Sequence, residues 1–134
     1  MPNMTEKLTS TILSAIGGKT TLSVPSLYIG LFLTPGTDYY PGREPSDSAY
    51  ERQTVALSSP QPADDNPGCM IVTNTKDIIF PAASSSWGRL PYYGIFSGGV
   101  PVTLLFTGEL DTPLTVNRWD TAIIPAGRLK IRMG

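Results

Sequence analysis

The chain has 134 residues, 40% of them hydrophobic and 16% charged, a balance that excludes disorder and leaves little charge to keep a free surface in water. Its net charge is −1, and the Lys and Arg residues stand singly from Lys7 to Arg132, so no basic stripe exists to displace counterions from phosphates and nucleic acid is excluded as a ligand. With no histidine, the commonest general base, nucleophile partner and metal ligand are missing together, which excludes zinc enzymes and Ser-His or Cys-His hydrolases.

In chain order, Met4, Leu8, Ile12 and Ile16 fall on one helical stripe, widened by Leu13 and Ala15, and predict an amphipathic helix over residues 4–16. Asn3 with Glu6 three residues on reads as a capping box, and Gly17-Gly18 as the stop. Such a face packs on its own domain or serves as a docking arm for a neighbouring subunit. Residues 26–33, apolar at nearly every position, predict a strand buried on both faces, closed by Thr34-Pro35-Gly36. Residues 37–49 carry Pro41, Gly42 and Pro45 and read as a long loop exposing Tyr39 and Tyr40. Residues 50–58 predict a strand with one wet face.

The Pro-rich stretch 59–68 is expected to be a solvated connection; the acidic pair Asp64-Asp65 there lacks the ligand rhythm of a calcium loop and reads as a hydrated turn. Residues 70–72 and 78–80 are two short strands. Residues 91–97 and 102–110 flank Gly98-Gly99-Val100-Pro101 and predict a hairpin. Residues 121–124 and 128–133 read as the last strand pair, the second alternating Leu129, Ile131 and Met133 against Arg128, Lys130 and Arg132. Roughly seven or eight short strands after one helix, with no crossover helices, predict a mainly β chain, an antiparallel sandwich or jelly-roll. One domain over residues 1–134 is expected, with the helix in 1–18 and the β-sandwich in 26–134.

No apolar run nears the roughly 20 residues that span a bilayer, and Met1-Pro2-Asn3-Met4 lacks the pattern of a secretory signal, so neither a membrane nor export is expected. Cys69 is the only cysteine, so no internal disulfide can form, which suits assembly in a reducing cytoplasm. Beside the apolar Met70-Ile71-Val72 it reads as a small buried hydrophobe. No phosphate-cradling glycine motif is present. Glu51, Glu109, Asp111 and Asp120 could face one another as a carboxylate pair, but charged residues beside turns usually cap them or meet water, and no catalytic residue is assigned. Neither a cofactor nor a metal is expected. Trp87 could offer a sugar a stacking platform, but its setting favours a core plug, and Trp87, Ile95, Phe106 and Ile123 are expected to share one core. In each of the pairs Tyr39-Tyr40 and Tyr92-Tyr93 one ring must point away from the core, and these four are the candidate interface residues.

Read in order, the pieces Leu27-Tyr28-Ile29-Gly30-Leu31-Phe32, Tyr50-Glu51-Arg52-Gln53, Asn74-Thr75, Phe80-Pro81-Ala82-Ala83, Trp87-Gly88, Gly94-Ile95-Phe96, the run Leu104 to Leu110, Thr112-Pro113, Val116-Asn117, Asp120-Thr121 and Pro125-Ala126-Gly127 resemble a family of small tailed-bacteriophage virion proteins, often labelled tail fibre. The resemblance runs from Leu8 to Ile131. It departs from the family at Ser46-Asp47-Ser48, where relatives tend to have glycines, and at the basic end Arg128-Leu129-Lys130-Ile131-Arg132. It implies a non-enzymatic structural protein of the virion, assembled in the host cytoplasm. The expected partners are other copies of itself, as a trimer or a dimer, and either the major capsid protein or tail proteins. Of the two positions, capsid decoration or cement is favoured; the alternative is a tail baseplate or fibre-attachment module with host-receptor contact.

Overall fold

The computed structural model describes residues 3–18, 26–37, 41–62, 69–98 and 102–133. Tyr39 and Tyr40, and the Asp64-Asp65 pair, lie outside them. The described chain is mainly β and antiparallel, with one short helix near its N-terminus. Strands β1 (Asn3–Met4), β2 (Leu27–Phe32), β3 (Gln53–Thr54), β7 (Gly88–Ser97) and β8 (Thr103–Val116) form a five-stranded sheet in the order β1-β8-β7-β2-β3. Strands β4 (Gln61–Pro62), β5 (Met70–Thr73) and β10 (Lys130–Met133) form a second sheet, with β5 central, and β6 (Ile78–Ile79) pairs with β9 (Ile123–Ile124) in a third.

Helix α1 (Glu6–Ile16) is two residues shorter at its start than its apolar stripe predicts. The Asn3-Glu6 capping box does not form, because Asn3 and Met4 extend as a strand against Thr107 and Phe106. Thr5 takes over: its hydroxyl accepts from the Leu8 amide at 3.3 Å and donates to the Leu104 carbonyl at 2.7 Å, so one side chain both caps the helix and ties it to β8. The helix stops at Gly17, and Gly18 follows at φ +74. Leu8 is buried, but Leu13 and Ile16 are exposed, so the apolar stripe is only partly covered.

The β2 run is buried from Ile29 to Phe32, as its unbroken apolarity predicts. Its outer edge meets β3 at only Tyr28 and Ile29. Beyond that, the segment 41–50 closes the edge: the Leu31 amide donates to the Tyr50 hydroxyl at 2.9 Å and the Leu33 amide to the Arg43 carbonyl at 2.7 Å. A bare strand edge is a template for unwanted pairing, and this loop masks it.

The hairpin of β7 and β8 forms, with one large irregularity. Leu90 faces Leu114 and Tyr92 faces Glu109, so Leu110, Asp111, Thr112 and Pro113 bulge out opposite Pro91 alone. Pro91 has no N–H to offer the ladder, which is why pairing breaks at that point.

The last two strands do not pair with each other. β9 joins β6 (Ile78 to Ile124, Ile79 to Ile123), while β10 joins β5. Gly127 at φ +82 and the bond from the Arg128 amide to the Pro125 carbonyl turn the chain between them. Buried Asn74 fastens this junction: its amide group donates to the carbonyls of Lys76 and Pro125 at 2.8 and 3.0 Å, and its Oδ1 accepts from the Leu129 amide at 3.0 Å. One hydrophobic cluster draws on all three sheets, with Ile29, Leu31, Ile78, Leu90, Ile95 and Ile131 among its members.

Candidate functional site

The loop before β3 is built on two polar clusters that account for the Tyr50-Glu51-Arg52 sequence and for Asp47. In the first, Arg52 grips the Glu44 carboxylate through Nε at 3.1 Å and a terminal nitrogen at 2.7 Å, while the Tyr50 hydroxyl donates to Glu44 Oε2 at 2.5 Å. Arg52 also lies 3.7 Å over the Phe96 ring. Burial, and then the Glu44 carboxylate, push the Tyr50 phenol well above its ordinary value, so it stays a proton donor. Gly30 leaves the room this cluster needs, since a Cβ there would stand 2.7 Å from Glu44 Oε2.

In the second cluster, Asp47 accepts from the Trp87 indole N–H at 2.7 Å, from the amides of Ser84 and Ser85 at 2.8 and 3.2 Å, and from the Ser84 hydroxyl. These bonds, the Ser84 hydroxyl first and the Trp87 indole second, hold its carboxyl well below the usual carboxylate range. Because the folded value lies below the unfolded one, the stabilisation is complete above the ordinary value of 3.8 and is lost as pH falls through the folded value. The urea midpoint of Asp47→Asn should therefore lie below that of the wild type at pH 6, and the gap should narrow at strongly acidic pH; a gap independent of pH would show that the charge contributes nothing. Within Ser46-Asp47-Ser48, Asp47 thus fastens the loop to the core.

Trp87 and Ile95 lie in the core cluster, with Phe106 half-buried against it. Trp87 packs nearly perpendicular to Tyr50 and Phe80, with ring centroids 5.3 and 6.4 Å away, and is only 4% exposed, so no face is free for a sugar. Ile123, expected inside, is turned outward and Ile124 takes the inner place; in a strand, neighbours face opposite sides, and a run of two isoleucines does not say which is which. Tyr93 is buried, its hydroxyl without a partner among the described residues, and Tyr92 is half-buried beside it. Cys69 is buried. Glu51, Glu109, Asp111 and Asp120 are exposed, Glu109 and Asp111 two residues apart on β8 and the others in separate loops, and Asp120 accepts from the Asn117 amide at 3.0 Å. Among the described residues no group of three or more acidic or cysteine side chains could hold a metal ion.

What residue patterns did not reveal is the surface around Trp119. The turn 117–120 holds Trp119 at φ +72, a left-handed conformation that costs a residue with a bulky side chain roughly 1–2 kcal/mol. Its backbone is pinned by the bond from its own amide to the Ala83 carbonyl at 2.7 Å and by the bond from the Ala83 amide to the Asp120 carbonyl at 2.9 Å. The indole is 68% exposed, with the Arg118 guanidinium 4.7 Å from its ring centre. A large aromatic in the polar run Asn117-Arg118-Trp119-Asp120-Thr121 was the signal available in the sequence. Along the same ribbon, Ile79 and Ile123 face each other in register, 55% and 42% exposed. Ile123 also lines a cavity of about 300 Å³ with Leu110, Leu114 and Pro125, and with exposed Asp111 and Arg128.

The polar side chains of the loop are consumed in holding the fold, while tryptophan and isoleucine are turned to solvent. Over residues 3–132 the chain matches the family described as Podophage GP4 fiber I protein gp80, and it belongs to that family. It is a structural protein of a tailed-phage virion. No curated protein matches it.

Proposed function

We propose that the chain is a non-enzymatic component of the particle's fibre apparatus, a small β-rich module that joins fibre or baseplate proteins to one another. The observation that carries this reading is the family match over residues 3–132, to a family named for a fibre. The fold supports it: the sheet edge at β2 is masked by a loop, and exposed hydrophobics on helix α1, on the β6-β9 ribbon and at the Trp119 turn can seat neighbours. Its work requires binding, and charge is too sparse on this surface to supply it by salt bridges.

Counting and locating the copies on purified particles tests the position. A small multiple of three or six at the tail is expected. Hundreds of copies spread over the shell would instead make the chain a capsid decoration protein binding the major capsid protein.

A further inference from the structure

Strand β2 is protected differently from the other long or outer strands. β4 carries Pro62, β10 carries Lys130 and Arg132, and the outer stretch of β8 carries Glu109, Asp111 and Pro113; prolines and charges at an edge discourage pairing with another chain. The run Leu27 to Leu33 has neither charge nor proline, the composition of short segments that stack on copies of themselves. Nothing in its own side chains would repel an identical strand. Its edge beyond Ile29 is closed instead by residues 41–50, through the bonds from the Leu31 and Leu33 amides to the Tyr50 hydroxyl and the Arg43 carbonyl.

The closure fits tightly, yet polar contacts hold it. Gly42 lies flush on the strand, where a Cβ would collide with the Thr34 carbonyl oxygen and stand 2.8 Å from the Phe32 ring. The Arg43 amide donates to the Thr34 hydroxyl at 2.8 Å. Residues 41–49 include no large apolar side chain, so the segment stays in place through the ion pair of Glu44 with Arg52 and the bonds of Asp47 to Ser84, Ser85 and Trp87. A surface segment held by polar contacts opens at a lower free energy than the sheet beneath it. We infer that β2 carries a latent interface for the β2 strand of a second copy, and that residues 41–50 are the latch that keeps it shut. Two identical strands running antiparallel about a twofold axis would use up both edges, so the unlatched form is a closed pair.

Hydrogen exchange of the purified full chain, read by mass spectrometry in the peptide spanning β2 at about 1 and 100 μM, tests this. In the wild type the Leu31 and Leu33 amides should exchange slowly and equally at both concentrations. Two variants open the latch by different means: Glu44→Ala with Asp47→Ala removes its fastenings, and Gly42→Val lifts it off the strand. In each, exchange at these amides should rise about 10-fold or more at the lower concentration, the scale of one lost hydrogen bond. At the higher concentration it should fall back toward the wild-type rate as a second copy takes the amides. Adding Leu33→Lys, which sets like charges against each other across the pair, should abolish that recovery. Exchange as slow as wild type in both variants, rapid exchange at both concentrations, or a recovery that survives Leu33→Lys would each overturn the proposal. So would equal acceleration in β7 and β8, which would make the segment a support of the whole fold rather than a latch on one edge.

Discussion

Trp87→Ala is expected to lower stability by about 3–5 kcal/mol, the scale for truncating a buried large aromatic. The indole is almost fully enclosed, and its removal leaves the edge-on rings of Tyr50 and Phe80 facing a void. It also takes from Asp47 the indole N–H at 2.7 Å, which helps hold the loop against the core. Trp87→Phe separates the two contributions: it keeps most of the packing and removes only the donor, so about 1–2 kcal/mol should be lost. Urea titration of both variants measures this, and a loss below ~1 kcal/mol for the alanine variant would place the ring outside the packed core.

The second large effect is expected at Asn74. Asn74→Leu keeps the volume while stripping the buried Leu129 amide, and the part-buried carbonyls of Lys76 and Pro125, of their partners. A buried polar group left unpaired costs about 1–3 kcal/mol, so a total near 3 kcal/mol or more is expected. The loss should be local before it is global: hydrogen exchange should accelerate first at β10 and β9, which this side chain joins, and later in β2, β7 and β8. Uniform acceleration throughout would argue against Asn74 as the fastening between the sheets.

Sequence patterns revealed most where one physical demand acted alone. The stop at Gly17-Gly18, the doubly buried β2 and the hairpin around residue 98 each follow from a local rule of backbone freedom or apolar run. They failed where two residues competed for one role. Asn3 and Thr5 are both good caps, and only the pairing of Asn3 with Thr107 decides between them. Ile123 and Ile124 are equally apolar, and only the register against β6 decides which faces inward. The strands on either side of residue 126 look like a hairpin, yet each finds a better partner far away in sequence. Asp47 and Trp119 were missed for another reason. A hydrogen-bonded carboxylate depends on donors some forty residues away, and an exposed tryptophan contradicts the usual preference of aromatics for the interior.

The placement of β2 also governs the timing of folding during synthesis. Its partner β7 follows it by about 60 residues, since Phe32 pairs with Tyr92. At translation rates of about 5–20 residues per second, an apolar strand that ends buried on both faces waits several seconds before its ladder can form. The edge-masking loop is made sooner, because Tyr50 and Arg43 lie within twenty residues of the amides they cover. On the ribosome, the loop can therefore act as a temporary guard on β2, shielding one edge of the strand until the hairpin that completes the sheet has been made.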